Sequence, residues 1–156
     1  RWHAASSDSW TTFNYSRRMA IRYRTSAFND DGGTGVSRVS DGIEVAVSNP
    51  LQPDHDVHAS NPEQLLALAW STCLNATAQA IVAGRHRTKV RVEVALRDAE
   101  ERPGYEFVAT AFVSGEGLDE SEASQLAAAA HDRRPVSRLL EASPLAEVRG
   151  EAWAVT

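Results

Sequence analysis

The stretch NPEQLLALAWSTCLNATAQAIV, residues 61–82, decides the fold of this chain. It has no charged residue between Glu63 and Arg85, and it holds the only cysteine, Cys73. Ser60 or Asn61 supplies a helix cap, Pro62 suits a first helical turn, and Glu63 stands three after Ser60, the spacing of a capping-box acid. The pattern predicts a helix to about Ala83, stopped at Gly84. Leu65, Leu66, Leu68, Trp70, Leu74, Ile81 and Val82 fall on every side of it. A helix that is apolar all round must be surrounded. A chain of 156 residues offers one sheet face and cannot wrap six turns alone. A second copy is therefore expected to cover the rest, as a homodimer.

Alternating patterns flank this helix. Residues 20–28 place Ile21, Tyr23 and Thr25 on one side with Arg22 and Arg24 on the other, a strand pattern, and NDDGGTG then signals a turn. Strands are expected at Val36–Val39 and Ile43–Ser48, the second after the Asp41-Gly42 hairpin signal. Lys89–Leu96 and Tyr105–Val113 alternate cleanly and read as an antiparallel pair joined through EERPG. Asp119 opens a second helix, DESEASQLAAAAHDRR, acidic in its first turn and basic in its last, which Pro135 breaks. A short helical turn in VSRLLEAS and a strand in AEVRGEAWAV close the chain. The class is α+β, mostly antiparallel sheet with one long central helix and a second helix.

Composition narrows the function. The formal net charge of −5 argues against nucleic acid or an anionic membrane as partner. The apolar run from Leu65 to Ala83 is long enough to span a bilayer. Asn75, Gln79, three hydroxyl residues and many alanines make it instead a buried helix of a soluble protein. One cysteine excludes a disulfide within this chain and a multi-cysteine metal site, and it fits a reducing, cytoplasmic setting. Residues 1–18 have no apolar core, so they read as a leader, tag remnant or extension rather than a signal peptide, with the folded domain over 19–156.

Cys73 has two readings at this point. A lone cysteine in a helix is ordinarily a small hydrophobe. A reactive thiol needs a nearby cation to hold it as thiolate, and the helix itself carries none. Other constellations are weaker. His55, His58 and His131, with Asp54 and Asp56, form a solvated loop pattern rather than a metal site. Ser137 and His131 lack a nucleophile elbow. GGTG is a turn with no lysine-bearing helix behind it.

The run Asn61-Pro62-Glu63-Gln64-Leu65 with Cys73 at its characteristic distance resembles the signature helix of the OsmC/Ohr family, the osmotically inducible and organic hydroperoxide resistance proteins. The order of strands and helices agrees over residues 20–156. The resemblance implies an intertwined homodimer with sites at the subunit interface. There a peroxidatic cysteine attacks an organic hydroperoxide, a second cysteine condenses with the sulfenic acid, and external dithiols reduce the disulfide. No bound cofactor is implied, only a thiol or dithiol reductant. A glutamate and an arginine orient the thiolate. Carried onto this chain, the peroxidatic residue is Cys73 and the glutamate is Glu63. Ten residues of helix separate them by about 15 Å, so both serve one thiol only from different chains or through a long arginine. Two positions depart from the pattern. Arg134 stands where the resolving cysteine belongs, and Thr34 where the turn arginine belongs, with Arg38 nearby. The two-cysteine cycle cannot run. A guanidinium at Arg134 or Arg38 would stabilise a Cys73 thiolate, giving a one-cysteine peroxidase, with Trp70 and Leu66 lining an apolar pocket for an organic peroxide. The alternative is a non-catalytic dimer that binds a small apolar ligand.

Overall fold

A computed structural model describes residues 20–154, so the expectation for residues 1–18 lies outside the described residues. The chain forms two compact units, divided after Val47. The first contains three strands, β1 (Ala27–Asn29), β2 (Gly35–Val39) and β3 (Glu44–Val47), in an antiparallel sheet of order β1-β2-β3. The expected strand over residues 20–28 is therefore shorter than predicted. Only its last residues enter the ladder, and Ile21 and Tyr23, which carry the alternation, are 70% and 81% exposed. A period of two describes a strand that is available to pair, whereas pairing itself requires a neighbour.

The second unit is built on α1 (Pro62–Val82), with β4 (Thr88–Asp98), β5 (Tyr105–Gly115), α2 (Glu120–His131), α3 (Pro135–Leu140) and β6 (Ala146–Gly150). Asn61 caps α1, its side chain accepting from the Gln64 backbone N–H at 2.9 Å. Glu63 is therefore not the acid of a capping box. The cap sits one residue later than Ser60 would place it, so Gln64 occupies the position three residues on. Ala83 ends the helix in the left-handed conformation, at φ 50°, and Gly84 continues it at φ 77°. Asp119 and Glu122 form the reciprocal capping box of α2. That helix stops at His131, three residues before the expected Arg134. Arg134 instead caps α3 in an extended conformation, which the following Pro135 favours.

β4 and β5 pair antiparallel over eleven residues each, and β6 adds to β5 in parallel, giving the order β4-β5-β6. The core lies between this sheet and the helices. Trp70, Leu74, Ala78 and Val82 recur every fourth residue along α1 and meet Ala109, Ala111 and Val113 of β5 with Leu126, Ala127 and Ala130 of α2. The alanines let the helices approach the sheet closely. Gly150 shows how closely: a Cβ added there would stand 2.4 Å from the Ser124 backbone nitrogen of α2.

This stripe uses only part of α1. Trp70, Leu74, Thr77, Ala78 and Val82 are its buried residues, and Leu68 is 63% exposed. It is the one described helix long and apolar enough to cross a membrane. β4, the strand that packs against α1, is also an edge of its sheet.

Candidate functional site

Cys73 lies half-buried on α1, one turn after Trp70 and adjacent to Leu74. Both of those side chains are fully enclosed, so the thiol sits at the border of the core stripe rather than within it. Its backbone carbonyl accepts the Thr77 hydroxyl at 3.2 Å, a bond along the helix, and the thiol is free.

Trp70, expected to line an apolar pocket, is enclosed within the single chain. It is 0% exposed, and its indole N–H donates to the Ser137 hydroxyl of α3 at 3.3 Å. An indole brings a large apolar body and one polar atom that needs a partner when buried. Ser137, itself 0% exposed, is that partner. The bond joins α1 one turn before Cys73 to α3 one turn after Arg134. It therefore ties the segment that follows Arg134 to the helix that bears the thiol. Leu66 is half-buried on α1.

The charged candidates fall in different places. Glu63, at the start of α1, is half-buried, and its Oε2 is a buried atom with no hydrogen-bond partner among the described residues. Arg134 is half-buried at the head of α3, which packs against α1, and its side chain makes no cap bond. Arg38 belongs to β2 of the first unit and is engaged with Asp30 at 2.5 Å. Sequence reasoning had not singled out the buried Nδ1 of His131, the second unpartnered buried polar atom among the described residues. Nor had it found the Trp70–Ser137 bond, which spans 67 positions.

Open space along α1 forms a chain of cavities on the seam with β4. One of about 400 Å³ is lined by Gln64, Leu68, Ser71 and Val92 among others. It shares Ser71 and Val90 with a second of about 360 Å³, which shares Asn75 with a third of about 430 Å³ that reaches Arg87 and Trp153. Cys73 lines none of these three. No group of three or more metal-ligating side chains converges among the described residues.

The model of the OsmC-like protein family matches residues 53–149. An organic hydroperoxide resistance protein-like sequence of Mycoplasma pneumoniae is 30% identical over 133 residues, covering 79% of this chain and 90% of that relative. The organic hydroperoxide resistance protein OhrA of Bacillus subtilis is 38% identical over 100 residues, covering 62% of this chain and 70% of its own length. Among solved structures, a proposed redox protein from Lactobacillus casei superposes with a TM-score of 0.77 at 33% identity, covering 90% of this chain and 99% of that one. The family match takes in α1 with Glu63 and Cys73, both long strands and both later helices. The chain belongs to the OsmC-like protein family.

Proposed function

We propose that this protein is a thiol-dependent peroxidase that reduces organic hydroperoxides through Cys73 alone, as a cytoplasmic homodimer acting in oxidative stress defence. The observation that carries the reading is the position of Cys73: half-buried at the border of the core, on the helix that the family model covers, in relatives named for organic hydroperoxide resistance. The Cys73 thiolate attacks the terminal peroxide oxygen, the O–O bond breaks, and the alkoxide leaves and takes a proton as the alcohol. Sulfur is oxidised to sulfenic acid. With no second cysteine in the chain, an external thiol must condense with that sulfenic acid, releasing water and leaving a mixed disulfide. A second thiol then attacks the disulfide, regenerates Cys73 and departs as the oxidised reductant.

The dimer is supported by burial. An apolar helix that its own chain buries along one stripe only, with Leu68 left 63% exposed, next to an edge strand of eleven residues, needs cover in water. A second copy supplies it.

The test is peroxide turnover with cumene hydroperoxide and an excess of either a monothiol or a dithiol, compared with Cys73→Ser. Turnover by the native chain and none by the variant is expected. Equal rates in both would sink the proposal. A second reading, a non-catalytic dimer holding a small apolar ligand, is favoured by one observation: Cys73 borders none of the three cavities on the α1–β4 seam.

A further inference from the structure

The run Gly84-Arg85-His86-Arg87-Thr88-Lys89 holds three cations, a histidine and no acid, in a protein of net charge −5. It leads from the end of α1 into β4. Arg85, His86 and Arg87 line a cavity of about 820 Å³ together with Glu116. Arg87 and Glu116 also line the neighbouring cavity of about 430 Å³, where Lys89 and Trp153 join them. Glu116 is the only acid on either lining. Arg38, Arg91, Arg97 and Arg149 each find a carboxylate, whereas Arg85, Arg87 and Lys89 form no ion pair with the described residues. Cations gathered in a cleft without counter-charges make a field that draws anions.

The walls of this cleft are fixed. The Thr88 hydroxyl donates to Oδ1 of Asn75 at 2.8 Å and fastens the start of β4 to α1. The Glu116 backbone N–H donates to the Arg87 carbonyl at 2.9 Å. The Glu116 carbonyl lies 2.9 Å from Nδ1 of His86 and can only accept, so Nδ1 carries the proton. Nε2 of that ring remains to accept, or to donate once the ring is protonated. The Arg87 guanidinium stands 5.8 Å over the Trp153 ring, within cation–π range, which keeps its charge beside a flat apolar face. The end of α1 works against an anion, because its last carbonyls form the negative end of the helix dipole. Arg85 offsets this by donating to the Val82 carbonyl at 2.9 Å and to the Ile81 carbonyl at 3.4 Å.

We propose that this cleft binds a small organic phosphate bearing a flat ring, of mononucleotide size. A phosphate monoester carries about two negative charges at neutral pH, and guanidinium N–H groups match its oxygens in pairs. Arg87 and Lys89 take the phosphate, and Trp153 offers the ring a surface to lie on. Cavities of roughly 300–1,000 Å³ hold small organic ligands, so inorganic phosphate alone would leave most of this space unused. The proposal does not depend on the peroxidase reading, since no step of it involves Cys73.

Isothermal titration calorimetry of the full chain with adenosine monophosphate tests it, with adenosine and inorganic phosphate titrated at the same ionic strength. The native chain is expected to bind the nucleotide saturably and more tightly than either control. Arg87→Gln should weaken that binding by about tenfold to a hundredfold, the scale of one charge-assisted hydrogen bond. Glu116→Gln removes the only acid on the lining and should tighten it severalfold, a gain that misfolding cannot imitate. No saturable binding of the nucleotide would overturn the proposal. So would a nucleotide no tighter than inorganic phosphate or adenosine, Arg87→Gln binding like the native chain, or Glu116→Gln binding more weakly.

Discussion

Breaking the bond between Trp70 and Ser137 tests how the site is held. The indole N–H and the hydroxyl are 3.3 Å apart, at the long end for a hydrogen bond, but both side chains are 0% exposed and water cannot replace either partner. Ser137→Ala leaves the indole N–H buried and unpaired, and Trp70→Phe leaves the hydroxyl so, at about 1–3 kcal/mol each. The length of the bond places Ser137→Ala in the lower half of that range. Trp70→Phe costs more, because it also removes part of a fully buried core side chain. The double variant leaves neither polar atom stranded. Its cost should fall below the sum of the singles by about 1 kcal/mol. For a chain of this length, each kcal/mol shifts Tm by about 2–4 °C. Urea unfolding at fixed protein concentration reads the cycle, since a dimer adds a concentration term. A Ser137→Ala cost within about 0.5 kcal/mol of zero, or strictly additive costs, would refute the claim that this bond clamps α3 to α1.

Other outcomes follow from the same geometry. Gly150→Ala drives a methyl into the α2 backbone at Ser124 and should destabilise by about 1–3 kcal/mol or more, read as a lower urea midpoint with the slope unchanged. Asn61→Ala removes the α1 cap and should cost about 1 kcal/mol, whereas Asn61→Ser should cost far less, by thermal unfolding. Arg91 donates to Glu151 at 2.8 Å and also pairs with Glu93, and these partners hold its guanidinium pKa above the ordinary value, the Glu151 bond foremost. A raised cation pKa gives stability present below the unfolded value and lost only as pH rises through the folded one, so this pair predicts no change in stability between neutral and mildly alkaline pH. Arg149 lowers the carboxyl pKa of Glu147, so that pair weakens only as pH falls through the carboxylate range, and its exposure to solvent keeps the effect small. A pH titration of the Glu147→Gln variant against the native chain checks the sign.

Local signals were legible where a residue's own neighbours decide the structure. The capping residues and the uncharged run define α1, Asp119 and Glu122 define α2, and the alternation of valines against charges defines β4. Signals that need a distant partner were not. Residues 20–26 carry a strand pattern, yet only Ala27–Asn29 finds a ladder. The parallel direction of β6 leaves no trace in a five-residue strand. Glu63 read as a capping acid because Ser60 and Asn61 are both competent caps, and the choice between them shifts the box by one residue. Cys73 gained a chemical reading only through the resemblance carried by its helix, because an isolated thiol among alanines and leucines looks like packing. The buried, unpartnered atoms of Glu63 and His131 were invisible for the same reason: satisfaction of a polar group depends on three-dimensional surroundings.

The central claim is that Cys73 is a peroxidatic nucleophile, and one measurement tests it most directly. The native protein, reduced and freed of thiol, is mixed with one equivalent of cumene hydroperoxide, quenched within seconds with a sulfenic acid trap, and read by intact mass with peptide mapping. The account predicts rapid, stoichiometric addition of the trap at Cys73, with one equivalent of alcohol released. Cys73 unmodified over minutes, with the peroxide intact, would contradict it.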